Sequence, residues 1–167
     1  MIRTECTIDV RYYETDLMGI VHHSNYIRYF EYGRIKMLEE IGLPISRIEG
    51  EGVMLPVVST FCTYKTPSRM GETLKIVSVM DTMPMAKMKI KTQIFKESSC
   101  NPQTNPAEIG AVVAEGEVVI GFIKSDTRRP CRIPGFAAEI IEKYFYRAFY
   151  SRRIVQETAG TAGGKRI

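Results

Sequence analysis

YYETDLMGIVHHSNYIRYFEYGR, residues 12–34, places an acid, a glycine turn, two adjacent histidines and a helix start in one short stretch. Asp16 precedes Gly19 by three residues. Ser24 and Asn25 then open a run in which Tyr26, Ile27, Phe30, Ile35, Met37, Leu38 and Ile41 recur at near-helical spacing. The spacing predicts a helix over 24–41, with Ser24 as its N-cap and Gly42 and Pro44 as its stop. Position 27 is Ile, so the reciprocal capping box is missing. The apolar positions cover most of the helix circumference, which predicts that other structure wraps it. A carboxylate looped onto a helix N-terminus sits beside unpaired N–H groups and a partial positive charge, a setting that suits an oxygen gaining negative charge.

The flanking sequence supplies the wrapping. Residues 4–12 alternate Cys6, Ile8, Val10 and Tyr12 against Thr7, Asp9 and Arg11, a strand pattern. Residues 43–52 read as a connector with a short turn, and 53–66 as one long strand rich in β-branched and aromatic residues, ended by Pro67 and Gly71. Residues 74–80 give a further strand, with an apolar phase change at Ile76 and Val77 that predicts a bulge. Met88, Ile90, Thr92 and Ile94 alternate with Lys87, Lys89, Lys91 and Gln93, one face for the core and one for water. After a polar loop at 98–107, residues 112–124 form the last strand, where Gly116 and Gly121 allow a bend or a close neighbour. A second helix over 136–149 is predicted to bury Phe136, Ile140, Ile141, Tyr144 and Phe145. Strand, long helix, four long strands and short helix make an α+β fold: a five-stranded antiparallel sheet around a long central helix.

The chain has 167 residues, 44% hydrophobic and 25% charged, the size and balance of one domain. No apolar run approaches the ~20 residues of a membrane-spanning helix. The N-terminal ten residues lack an apolar leader segment, so a cytoplasmic address is expected. Cys6, Cys62, Cys100 and Cys131 are scattered and are expected to be reduced thiols, with Cys62 in the core. Two adjacent histidines without cysteine help do not make a zinc site, and neither metal nor cofactor is expected. The net charge of +4 gathers after position 123, at Lys124, Arg128, Arg129, Arg132, Lys143, Arg147, Arg152, Arg153, Lys165 and Arg166. That distribution fits a solvated face and tail, or a site for a phosphate-bearing ligand. No basic strand is interleaved with aromatics, so nucleic acid is not expected as a partner.

The architecture, together with Tyr13 through Tyr26, resembles the hotdog-fold acyl-CoA thioesterases of the 4-hydroxybenzoyl-CoA thioesterase family, particularly the YbgC/FadM-like branch. Asp16, Gly19, Val21, Asn25 and Tyr26 match its acid, glycine, valine and Asn-Tyr signature, and the stretch from Arg128 to Pro134 is similar to a basic segment that follows the last strand in this group. The resemblance implies a single hotdog domain over 1–150, followed by a basic, disordered tail at 151–167. It implies hydrolysis of an acyl-CoA thioester to the free acid and CoA, with release from an acyl carrier protein, or a non-catalytic acyl-binding scaffold, as the alternatives. By the same likeness Asp16 acts as general base or as nucleophile, the backbone N–H of His23 donates to the thioester oxygen, and His22 orients the acid, assists water or serves only as a hydrogen-bonding residue. Gly19, Asn25, Tyr26, Arg128, Arg129 and Arg132 are the substrate-binding candidates, the arginines for the CoA phosphates. Asn25 and Tyr26 are expected to shape the helix start more than to do chemistry, and Tyr13 and Glu14 to pack. Met80, Met83, Met85 and Met88 read as core and turn packing, with an acyl tunnel as the alternative. A homodimer or homotetramer is expected, with the site between subunits.

Overall fold

The computed structural model describes residues 1–146. The expected tail at 151–167 and the last expected turn of the second helix lie outside the described residues, as do Arg147, Arg152, Arg153, Lys165 and Arg166. The first strand, β1, spans Ile2–Asp9, slightly earlier than the alternation predicted. Tyr12 leaves it and enters a short 3-10 turn, Tyr12–Glu14, with its side chain in solvent.

The long helix α1 covers His23–Glu40, close to the predicted 24–41. Its cap is His22 rather than Ser24. The stop is as read: the Gly42 N–H donates to the Glu39 carbonyl at 2.9 Å, and the Leu43 N–H to the Leu38 carbonyl at 2.8 Å, with Leu43 buried. The sheet wraps α1 along one side. Asn25, Tyr26, Tyr29, Phe30, Gly33, Arg34, Met37 and Leu38 are buried at steps of three and four residues, and Ile27 on the other side is exposed. α1 therefore lies across one face of the sheet with its opposite side toward solvent.

After a short α2 (Ile45–Gly50), the predicted single strand over 53–66 is two strands. β2 is Val53–Met54 and β3 is Val57–Tyr64, broken at Pro56, which has no N–H for a ladder. β4 (Glu72–Met80), β5 (Lys87–Ser99) and β6 (Val112–Gly121) form an antiparallel meander, and β7 (Ile123–Lys124) pairs with β2 in a two-stranded ribbon. The main sheet is five-stranded and antiparallel in the order β1-β4-β5-β6-β3. A last helix, α3, occupies 135–146, to the limit of the described residues. It buries Ala137 and Ile141, while Tyr144, expected inside, is 37% exposed.

Leu74, Ile76, Met80, Met88, Ile90, Ile94, Val118 and Ile120 meet Tyr29, Phe30, Met37 and Leu38 in one core. Met80 and Met88 are part of it, and Met83 and Met85 are exposed, so the methionines pack core and turn and line no tunnel near Asp16. The bulge expected at Ile76 and Val77 is absent from the register there; the shift falls between Thr73 and Leu74. Val77 is instead buried on the outer face of the sheet, beside Phe61 and Val79. Gly116 answers the close-neighbour expectation: a Cβ there would overlap the Phe61 carbonyl oxygen and lie 2.6 Å from the Phe30 ring, so Phe30 seats on a bare strand.

Candidate active site

The acid loop is tied down from below by Glu14. Its buried carboxylate accepts from the Arg11 N–H at 2.8 Å and from the Tyr29 hydroxyl at 2.9 Å. Its carbonyl oxygen accepts from the His22 N–H at 2.8 Å and from Asn25 Nδ2 at 2.7 Å. One residue thus fixes both the base of the loop and the start of α1, using side chain and backbone together. Asn25 makes this contact at the helix start and does not line the cavity described below. Glu14 packs as expected. Tyr13 does not: it is exposed, with its hydroxyl accepting from Arg11 at 3.1 Å.

Above Glu14 the loop closes on itself. Thr15 and Val21 form an antiparallel bridge, the Asp16 N–H donates to the Ile20 carbonyl at 2.9 Å, and the Gly19 N–H to the Asp16 carbonyl at 2.9 Å. Gly19 has φ +71°, the left-handed conformation that this turn requires. Asp16 Oδ1 accepts from the Met18 N–H at 2.8 Å. Among the described residues no donor reaches Oδ2, which leaves one carboxylate oxygen free. Leu17 and Met18, at the tip, are exposed apolar residues.

α1 begins directly after the loop. His22 Nδ1 lies 2.8 Å from Ser24 Oγ and accepts from the Ser24 N–H at 3.4 Å, and its ring stacks at 4.1 Å on that of His23. His22 thus caps the helix. The His23 N–H, at the first helical position, has no acceptor among the described residues, and the first turn carries no acidic side chain to offset the helix dipole.

Asp16, Met18, His23 and Tyr26 line a common cavity of about 370 Å³ with Tyr64, Lys65, Thr66 and Pro67. The Tyr64 ring stands 5.5 Å from that of Tyr26 and edge-on to that of His23 at 6.3 Å, so the wall is aromatic. Burial pushes the Tyr26 phenol up, which keeps it protonated. A free carboxylate oxygen, an unpartnered N–H at a positive helix end and an apolar wall are the parts that acyl transfer needs: a base or nucleophile, an oxyanion donor and partial exclusion of water. Tyr64 and Pro67 carry no signal in the sequence beyond strand end and turn, and only the fold brings them to Asp16.

The arginines lie elsewhere. Arg128 has φ +57° and donates to Met54 Sδ at 3.0 Å, while Arg132 lines a separate cavity of about 450 Å³ with Lys124 and Asp126. Val57 pairs with Ile120 at that end of the sheet and Tyr64 with Ala114 at the Asp16 end. Seven residues of strand separate the two ends, about 23 Å. Within one chain, Arg128, Arg129 and Arg132 are therefore not neighbours of Asp16.

Residues 10–141 match the model of the thioesterase-like superfamily. A putative esterase of Aquifex aeolicus is 31% identical over 110 residues, covering 66% of this chain and 84% of its own. An acyl-CoA thioesterase YbgC of Helicobacter pylori is 28% identical over 134 residues, 79% of this chain and 95% of its own. The crystal structure of a DHNA-CoA thioesterase from Staphylococcus aureus superposes with a TM-score of 0.70 at 25% identity, covering 100% of this chain and 99% of that one.

Proposed function

The chain belongs to the thioesterase-like superfamily and has the hotdog fold, and on that premise we propose that it hydrolyses an acyl-CoA thioester at Asp16, releasing the free acid and coenzyme A. The observation that carries this reading is the free Oδ2 of Asp16 and the unpartnered His23 N–H on the same cavity. The thioester carbonyl oxygen points to the His23 N–H, where the helix dipole favours the charge that builds on it. Asp16 then takes one of two parts. As base, it removes a proton from water as the water oxygen bonds to the acyl carbon; the C–S bond breaks and the thiolate recovers the proton. As nucleophile, it bonds to the acyl carbon and expels the thiolate, and water cleaves the resulting anhydride. Gly19 shapes the turn, and Tyr26 and Tyr64 enclose the acyl group near the reacting carbon.

The reach to the phosphates argues for two subunits. β3 is one of the two edge strands of the sheet, and most of its residues are exposed, Phe61 at 66%. Such an edge pairs readily with another strand. Antiparallel pairing of two β3 edges sets the start of one strand beside the end of the other. Arg128, Arg129 and Arg132 of a second copy then approach Asp16 of the first, where they meet the CoA phosphates bidentately. A domain over 1–150 and a homodimer, alone or doubled to a tetramer, follow from this reading, and a cytoplasmic address fits both the substrate and the free cysteines. Among the described residues no helix is long and apolar enough to cross a membrane.

The test is a turnover screen over acyl-CoA chain lengths and aromatic acyl-CoAs, with matched acyl carrier protein substrates and Asp16→Asn as control. Asn keeps the oxygen that accepts the Met18 N–H, so the loop persists, and kcat is expected to fall by a factor on the order of 10²–10⁴. Unchanged turnover in Asp16→Asn overturns the mechanism, and a strong preference for carrier protein replaces CoA as the substrate.

A further inference from the structure

Lys96 follows Met88, Ile90, Thr92 and Ile94 on the buried face of β5, and its side chain is wholly buried. A buried ammonium persists only when its charge and its three N–H donors are all answered. Here they are: Lys96 Nζ donates to the Pro67 carbonyl at 3.0 Å, to Glu72 Oε1 at 3.2 Å and to Glu108 Oε2 at 2.5 Å. Glu72, also wholly buried, accepts from the Thr104 hydroxyl at 2.6 Å through Oε1 and from the Arg69 N–H at 3.1 Å through Oε2. The cluster thus grips the backbone at Pro67 and at Arg69, on either side of Ser68. The carbonyl of Ser68 accepts from the Val21 N–H at 2.8 Å, and Val21 bridges Thr15, the residue before Asp16.

None of the three charged side chains lines the cavity, but Pro67 does. Buried ion pairs contribute little to stability compared with apolar side chains of similar volume. Three charges, set at the end of an apolar stripe and aimed at one turn of backbone, serve placement. We propose that Lys96, with Glu72 and Glu108, is a positioning residue for thioester hydrolysis: it fixes the strut from Pro67 to Arg69 that holds Val21, and through it Asp16, against the N-terminus of α1. The proposal rests on Asp16 being the reacting carboxylate. A misplacement of about 1 Å at a reacting group costs on the order of 10²-fold in rate.

Lys96→Met alone strands the Glu72 charge, so the decisive variant of the full chain is Lys96→Met/Glu72→Gln, which leaves no buried charge. Glu108→Gln, at a partly exposed position, is the milder second variant. Two measurements are made on each: amide hydrogen exchange at Val21 in the absence of substrate, and the steady-state constants with an acyl-CoA. The proposal expects Val21 exchange at least tenfold faster, kcat lower by roughly 10- to 100-fold and KM within twofold, with smaller changes in the same direction for Glu108→Gln. Wild-type Val21 exchange in a folded variant overturns the strut. Faster exchange with unchanged kcat, or a loss confined to KM, overturns the positioning role. If Asp16→Asn is fully active the proposed mechanism falls instead, and the Val21 exchange still reads the strut by itself.

Discussion

Replacing Gly116 by Ala adds one methyl group where helix and edge strand both press on β6. The new Cβ would overlap the Phe61 carbonyl oxygen and lie 2.6 Å from Phe30 Cε2 and 3.1 Å from Cys62 Cα. Phe30, in α1, is fully buried, and the Phe61 oxygen belongs to β3 backbone. Restoring ordinary contact requires β3 to retreat by roughly 1 Å. That strains the ladder on both sides of the Cys62 and Gly116 pair, about 1 kcal/mol for each weakened bond. Overpacking against Phe30 adds about 1–3 kcal/mol. The expected loss is about 3–5 kcal/mol out of the 5–15 typical of a domain. At about 2–4 °C per kcal/mol for a chain of this size, Tm falls by roughly 6–20 °C. Urea and thermal unfolding followed by circular dichroism measure it. Gly121→Ala is the internal control, because its Cβ meets side-chain tips, Val58 Cγ2 at 3.3 Å and Pro56 Cγ at 3.9 Å, and reaches backbone only at ordinary contact distance, the Pro56 carbonyl oxygen at 4.0 Å, and costs less than about 1 kcal/mol. A Gly116→Ala protein with a Tm within about 2 °C of the parent would refute the packing of Phe30 on bare strand.

Other perturbations separate roles within the site. His22→Ala removes the cap of α1 and should cost about 1 kcal/mol in urea unfolding, whereas His22→Asn, a good cap, should keep both stability and kcat; a kcat loss in His22→Asn would give the ring a chemical part. Phe61→Glu places a charge on the β3 edge, and sedimentation should show a monomer whose kcat/KM for acyl-CoA falls at least tenfold while that for a phosphate-free acyl-pantetheine thioester falls less. Lys96 holds the Glu108 carboxyl below its ordinary value of 4.5. The depressed value means that Glu108 stabilises the fold fully above about pH 4.5 and loses this contribution as pH falls through its folded value, so Glu108→Gln should flatten the decline of Tm with acidification over that window. An unchanged slope would place the ion pair outside the stability balance.

The parts legible in the sequence are those governed by short-range periodicity. β5 was plain because Lys87, Lys89 and Lys91 alternate with Met88 and Ile90, and α1 was bounded within a residue at each end because its apolar steps stop at Gly42. Pro56 carries the break between β2 and β3, a signal that the β-branched and aromatic content of 53–66 masks. Propensity assigns the cap to Ser24, while the extended backbone of His22 (φ −61°, ψ 134°) and the acceptor on its ring place it two residues earlier. The Val77 phase change was taken for a bulge because a buried patch on the outer face of the sheet looks the same in sequence as a slip of register. Asp16 stands out by its place before the helix, and His23 through the resemblance of residues 13–26. Tyr64, Pro67 and the burial of Lys96 do not stand out, since each depends on partners tens of residues away, Glu72 lying 24 positions from Lys96.

The order of strands in the sheet has a consequence for how the chain acquires its chemistry. β4, β5 and β6 are consecutive in sequence and pair across the local connections 81–86 and 100–111, whereas β1 must find β4 across a separation that pairs Ile2 with Met80, and β3 must find β6 by pairing Val57 with Ile120. Closing such long loops carries the larger entropy cost, and non-local pairings set the pace of folding. The acid loop hangs from β1, and Tyr64 and Pro67 hang from β3, the two outermost and most distant strands. A refolding or newly made chain therefore has no cavity at Asp16 until both margins of the sheet have docked, and turnover returns with the slowest step of assembly rather than with the bulk of secondary structure.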